Sequence, residues 1–283
     1  MRWQRWAERL LYPPVRLDRA KLADRLDGKT ILITGASSGI GEQLAHVLAD
    51  CRVHLILAAR REDRLHALRR ALEAKAAEVS VFAGDLRDPA QLDGLIAFLH
   101  RLPDGLDIVV SNAGHAIRRS MRASLDRFHD FSRTMAINYA APVRLLLAVL
   151  PLLERRRGHI VNVSTVSALL PPVPGWAAYL ASKGAFDIWL RAAAPELARW
   201  GVAVTSVYFP LVRTPMIEPT AAYRRLPARS PQDAAAVIAR LLTTRRRSYR
   251  PWWMYVAQPA AAVFRPLWIR AARRMAGGEE DGR

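Results

Sequence analysis

Cysteine is all but missing from this chain of 283 residues, where Cys51 stands alone. A single thiol forms no internal disulfide and offers no thiolate cluster, so no metal site is expected and a reducing compartment suits the chain. Acidic residues are scarce as well, 25 against 43 lysines and arginines, which leaves a formal charge of +18. Long apolar runs are lacking too. The charge-free stretch 251–264 carries two prolines and falls short of the roughly 20 residues a membrane-spanning helix needs. Residues 1–11 have neither an unbroken apolar run nor a small-residue cleavage site, which argues against export. What is there is the balance of a globular protein, 51% hydrophobic and 24% charged, long enough for one substantial core.

The cations are almost all arginine. Such an excess suits nucleic acid, an anionic membrane surface, or a phosphate-bearing cofactor or substrate, and compositional bias accounts for it equally well. Nucleic acid is disfavoured, because its recognition calls for aromatics spread over a basic face and here they gather at the termini.

From Lys29 onward, short β-branched runs alternate with longer helical patterns, the signature of βαβ units. Strands are expected near 30–34, 53–59, 79–83, 107–111, 159–164 and 202–208, and helices near 40–50, 62–77, 89–100, 124–154 and 177–200. Runs such as Ile31-Leu32-Ile33 and Ile108-Val109-Val110 suit strands covered on both faces. The expectation is an α/β fold, a single Rossmann-like doubly wound parallel sheet over 29–244 with helices on both faces. An amphipathic extension over 1–28 and a basic, aromatic, helical one over 245–283 flank it, and the tail Gly277-Gly278-Glu279-Glu280-Asp281 is too polar to pack and is expected to be disordered.

Thr34-Gly35-Ala36-Ser37-Ser38-Gly39-Ile40-Gly41 follows the first strand and opens a helix with apolar residues at Ile40, Leu44, Val47 and Leu48. In that context Gly35 allows a tight turn, Gly39 lets backbone approach a pyrophosphate, and Gly41 lets the helix pack closely while its first amides face the anion. The second strand ends in Ala59-Arg60-Arg61, where a carboxylate would otherwise take the adenosine ribose hydroxyls of NAD. Guanidinium groups there pair with a 2′-phosphate, so NADP(H) is favoured over NAD, with Ser37 placed to help.

Tyr179 and Lys183 lie four residues apart on an expected helix and so share a face. An ammonium beside a phenol stabilises the phenolate, which is expected to bring Tyr179 toward proton exchange near neutrality. Tyr179 then protonates a carbonyl oxygen as hydride arrives, and acts as base in reverse.

With Asp85-Leu86, Asn112-Ala113-Gly114 and Asn138 in order between these two motifs, the chain resembles the short-chain dehydrogenase/reductase family from about Gly28 to about Arg240. The resemblance implies that Asp85 and Leu86 bracket the adenine and that Asn112, Ala113 and Gly114 shape the fourth strand beside the cofactor. It also implies a catalytic tetrad of Asn, Ser, Tyr and Lys, in which Lys183 bonds the nicotinamide ribose and Asn138 binds a proton-relay water. The fifth strand ends in Val163-Ser164-Thr165 where that family usually has two serines, so Thr165 takes the hydroxyl's role by register, with Ser164 or Ser167 as substitutes. Pro210-Leu211-Val212-Arg213-Thr214 matches the segment that holds the nicotinamide carboxamide, Val212 by its backbone and Thr214 by its hydroxyl; Leu211 stands where glycine is common. A dimer or tetramer through the long helices is implied as well.

A softer resemblance, to the reductase domain of bacterial long-chain fatty acyl-CoA and aldehyde reductases, rests on the segment from Pro210 to the region of Ser230-Pro231, including Met216-Ile217-Glu218-Pro219-Thr220, and on residues 160–164 and 179–189. It implies an apolar substrate wall from Leu169, Leu170, Val173, Trp176 and Met216. Trp3, Trp6, Leu10 and Leu11 sit among Arg2, Arg5 and Arg9, and Trp252, Trp253, Tyr255, Phe264 and Trp268 among Arg250, Arg265 and Arg270. Aromatics interleaved with cations suit a bilayer interface, or else helices packed on the domain or a partner copy. The expectation is therefore a cytoplasmic NADPH-dependent reductase of a lipophilic carbonyl, on the inner face of a membrane. The alternatives are a steroid-like or 3-oxoacyl substrate, or a cofactor-binding scaffold without turnover.

Overall fold

The structure, a computed structural model, describes residues 2–218, 223 and 226–280, without the side chains of residues 2, 4, 5 and 276–280. Strands β1 (Lys29–Thr34), β2 (Val53–Ala59), β3 (Glu78–Ala83), β4 (Ile108–Ser111), β5 (His159–Thr165), β6 (Ala203–Phe209) and β7 (Ser248–Tyr249) form one parallel sheet. Their order is β3-β2-β1-β4-β5-β6-β7, so the winding reverses between β1 and β4 and opens a crevice at the carboxyl ends of the strands.

The helices are α1 (Arg2–Leu11), α2 (Arg19–Leu26), α3 (Gly39–Leu48), α4 (Glu62–Leu72), α5 (Pro89–His100), α6 (Phe128–Met135), α7 (Ala141–Arg155), α8 (Ala177–Arg199), α9 (Pro231–Thr244), α10 (Met254–Val263) and α11 (Arg265–Glu280). Side chains alternate across a strand, and the apolar runs use both faces. Ile31 and Ile33 join Leu44, Leu55, Leu57, Ile238 and Leu241 on one side, with Leu22 and Leu26 of α2 in the same core. Leu32 joins Ile56, Val109, Leu95, Leu146, Phe186 and Leu190 on the other. At the amino end of β4, Asp107 accepts from Lys29 Nζ at 3.0 Å, from the amide of Thr30 at 3.1 Å and from Arg156 Nε at 3.2 Å.

The helix expected over 124–154 starts at Phe128 and is interrupted by a π-helical segment, Ala136–Ala140, in which the amide of Ala141 reaches back to the carbonyl of Ala136. Pro142 explains the break, because it has no N–H to give the fourth carbonyl before it. Length and composition would let Phe128–Arg155 cross a membrane, but α7 spends Leu145, Leu146, Val149 and Leu153 in the core. The helix expected to reach residue 77 stops at Leu72. Helix α9 and strand β7 were not foreseen, although Ser230 caps α9 by accepting from the amide of Asp233 at 3.0 Å. The polar tail is helical to Glu280, and Asp281 lies outside the described residues.

Candidate active site

A cleft of about 780 Å³ follows the carboxyl edge of the sheet from the glycine turn to the loop after β6. The turn is closed sterically. Gly35 has φ +69°, and a Cβ there would lie 2.8 Å from Ala113 Cα. A Cβ on Gly41 would lie 2.6 Å from the carbonyl oxygen of Gly35, so only glycine lets α3 start this close to the loop. Asn112 braces the other side, its Nδ2 donating to the carbonyls of Thr34 at 3.0 Å and Gly35 at 3.2 Å. Thr34 Oγ1 accepts from the amides of Asn112 and Ala113 at 3.0 and 3.1 Å, which locks β4 to β1. Ser38, at the N-cap of α3, makes no side-chain cap bond, and Ser37, Ser38, Gly39 and Ile40 line the cleft. A turn in which a Cβ cannot fit, opening onto a helix without a side-chain cap, fits a pyrophosphate.

The two arginines after β2 diverge. Arg61 Nη2 donates to Ser37 Oγ at 3.1 Å and to the Ser37 carbonyl at 3.2 Å. Arg60 leans toward Asp85, 4.0 Å away. Arg87 donates to Asp85 at 3.0 Å and holds its carboxyl below the usual carboxylate range. Leu86, Asn112, Ala113 and Gly114 line the next stretch of wall.

On α8, one turn apart, Lys183 is buried in the cleft wall and Tyr179 is half-buried there. Lys183 Nζ donates to the carbonyl of Val163 at 3.0 Å and lies 3.4 Å from where a Cβ on Gly114 would stand. Burial pulls its pKa down to about 8. Tyr179 bonds the side chain of Thr165, which lowers its pKa, but burial outweighs that bond and pushes the phenol up to about 12. The expected shift toward neutrality is therefore reversed here: desolvation is the larger effect, and the nearby phenol of Tyr223 adds to it. Ser164 and Ser167 also line the cleft, yet Ser164 Oγ is buried without a partner. The amide of Ser167 donates to Thr165 Oγ1 at 3.3 Å, fixing the threonine side chain.

Asn138 sits in the π segment and is buried. Its Nδ2 donates to the carbonyl of His115 at 2.8 Å and to Ser182 Oγ at 2.9 Å, and its Oδ1 accepts from the amide of His115 at 2.9 Å. Ser182 in turn donates to the carbonyl of Tyr179 at 2.8 Å, so Asn138 ties the segment after β4 to the turn of α8 that carries Tyr179. Beyond β6, Pro210, Val212 and Thr214 line the cleft. The loop carrying Leu211 is pinned by Arg229, whose amide donates to the carbonyl of Leu211 and whose carbonyl accepts from the amide of Arg213, both at 2.9 Å.

The expected apolar wall is partly displaced. Val173, Trp176 and Met216 line the cleft, but Leu169 and Leu170 turn away to pack with Val166, Tyr208 and Met254, where α10 offers an apolar seat. Pro219 and Thr220 lie outside the described residues. Sequence reading missed Ile217, Leu226 and Tyr223 as lining residues. Tyr223 stacks on Trp176 at 5.8 Å between centroids, and Trp176 meets Tyr179 edge-on at 5.7 Å. An aromatic in an irregular loop has no periodicity to give it away.

Comparison with known proteins agrees with this geometry. A fatty acyl-CoA reductase of Acinetobacter baylyi is 40% identical over 227 residues, 80% of this chain and 77% of that one. One of Mycobacterium tuberculosis is 39% identical over 247 residues, 87% and 84% of the two chains. Among solved structures, a short-chain type dehydrogenase/reductase from Mycobacterium marinum superposes with a TM-score of 0.73 at 25% identity, covering 82% of this chain and 95% of that one. A short-chain dehydrogenase/reductase of unknown function from Caenorhabditis elegans, solved with cofactor, gives 0.68 at 26% identity over 77% and 89%. Residues 29–224 match the family model described as short chain dehydrogenase, and the chain belongs to the short-chain dehydrogenase/reductase family of oxidoreductases.

Proposed function

We propose that this oxidoreductase uses NADPH to reduce a lipophilic carbonyl, a fatty aldehyde or a fatty acyl-CoA, on the cytoplasmic face of a membrane. The observation that carries the reading is the Thr165–Tyr179–Lys183 set in a cleft that Val173, Trp176, Met216, Ile217 and Leu226 also line. The relatives' names as fatty acyl-CoA reductases support the same substrate class. The bound dinucleotide would supply hydride from its reduced nicotinamide. Gly35, Ser38, Gly39, Ile40 and Gly41 would hold its diphosphate, Asp85 and Leu86 its adenine, and Val212 and Thr214 its carboxamide. The Arg61–Ser37 pair favours NADPH, because it sets a guanidinium and a hydroxyl where a 2′-phosphate would be read.

A phenol raised to about 12 is fully protonated at neutral pH, which suits a proton donor to a developing alkoxide. Thr165 shares a hydrogen bond with that phenol and would hold the substrate oxygen beside it. Lys183, charged below about pH 8, offers the phenol a nearby cation as it gives up its proton. The exposed Leu147 of α7 and Ile188 of α8 suit a homodimer or homotetramer through those helices.

The test is NADPH and NADH oxidation against a panel of long-chain aldehydes, acyl-CoAs and ketones. Turnover with long-chain aldehydes or thioesters is expected, and turnover confined to cyclic ketones would overturn the substrate class. Arg61→Glu should raise the KM for NADPH on the order of tenfold and leave that for NADH nearly unchanged.

A further inference from the structure

The apolar side chains that the fold leaves uncovered are not scattered. On α1, Trp3, Trp6 and Leu10 recur at i, i+3 and i+7 and are all exposed, Trp6 at 69%. Trp252, Tyr255 and Val256 are exposed around the start of α10, Phe264 between α10 and α11, and Leu267, Ile269 and Met275 along α11. Hydrogen bonds join these helices to one another and to the cleft. Trp252 Nε1 donates to the carbonyl of Leu10 at 2.9 Å, linking α1 to α10. From α1, Glu8 pairs with Arg213 and accepts from the amide of Ala228 at 3.2 Å. Near the start of α11, Trp268 Nε1 donates to the carbonyl of Pro172 at 3.3 Å. Arg213 stands between Val212 and Thr214, and Pro172 precedes Val173; those three neighbours line the cleft. The terminal helices are thus fastened to the two loops that form its mouth. The mouth itself continues the apolar surface, since Val173, Met216 and Leu226 both line the cleft and are exposed.

Charge selects the occupant. No aspartate or glutamate occurs between Asp233 and Glu279, a span that includes Arg250, Arg265, Arg270, Arg273 and Arg274. A second copy docked face to face would set these arginines against their own equivalents. An anionic bilayer neutralises them and accepts the tryptophans at its headgroup level.

We propose that α1, α10 and α11 dock the protein in the plane of an anionic lipid surface, with the mouth of the cleft facing the bilayer, so that the carbonyl substrate enters from the lipid phase without crossing water. The entry route rests on the reductase reading above; the docking does not.

The test uses the full chain, with vesicles of pure phosphatidylcholine or of phosphatidylcholine mixed with phosphatidylglycerol. Wild-type protein is expected to co-sediment with the mixed vesicles, less with the neutral ones, and less as salt rises. The double variant Trp6→Ser/Phe264→Ser should lose on the order of a hundredfold in partitioning, since each large apolar side chain withdrawn from lipid is worth roughly tenfold. NADPH-dependent turnover of a short, water-soluble aldehyde should be unchanged in that variant, while turnover of a long-chain aldehyde dissolved in the mixed vesicles falls with binding. A double variant that sediments like the wild type would overturn the proposal. So would one that binds lipid normally but loses an oligomeric state in sedimentation velocity, because the face would then be covered by a second copy. Wild-type protein that docks yet reduces no aldehyde or thioester in any form would remove the reductase reading and leave the docking intact.

Discussion

The two ends of the sheet treat polar groups in opposite ways. At the amino end, Asp107 collects Lys29, the amide of Thr30 and Arg156, so a buried carboxylate is met by two cations and a backbone donor. At the carboxyl end of the adjoining strand β5, Ser164 Oγ has no partner, and burial disfavours both the Lys183 ammonium and the Tyr179 phenolate. The same strands supply both ends. One end cancels its charges and holds the sheet together, whereas the other keeps polar groups in a state that a ligand would relieve.

The sharpest way to break this division is Tyr179→Phe. Turnover should fall about a thousandfold or more, the upper part of the range for losing a positioned acid, while the urea unfolding midpoint stays where it is. A matching loss of stability would mean that the phenol holds the fold as well. Next comes Asp107→Ala, which strands Lys29 and Arg156 near the core. Because both cations are partly exposed, a cost of about 2 kcal/mol is expected in denaturant unfolding, less than for a fully buried pair. Turnover per folded molecule should be unchanged, and a fall in that number would show that the two ends are coupled. The smallest effect is in pH. Lys183, depressed to about 8, loses its charge as pH rises through that value, while the phenol stays protonated to about 12. Reductive kcat/KM should therefore decline above about pH 8. A profile flat to pH 10, roughly the ordinary lysine range, would place the controlling group elsewhere.

Much of this was legible in the residues. The glycine turn, Asn112 and Tyr179 with Lys183 each carry chemistry that dictates residue type, and their order along the chain placed them at one edge of a parallel sheet. Ser230-Pro231 followed by Asp233 was a readable helix start that went unused, whereas β7 has two residues and no alternation to detect. The direction of the Tyr179 shift was not readable, because it depends on how completely the cleft wall covers the phenol, and sequence spacing reports neighbours but not solvent. The same holds for Leu169 and Leu170, whose side of the loop is decided by Met254, more than 80 residues away along the chain.

The π segment before Pro142 works as a phase shifter. An ordinary helix advances about 100° per residue, so the extra residue taken up at Ala136–Ala140 sets α6 and α7 at different rotations about a nearly common axis. Asp130 of α6 can then meet Arg119 on one side while α7 gives its leucines to the core on another. Losing a single residue there would bring the two helices back into step and swing Asn138 off both His115 and Ser182. Chain length in this stretch is as strictly set as any side chain in the cleft.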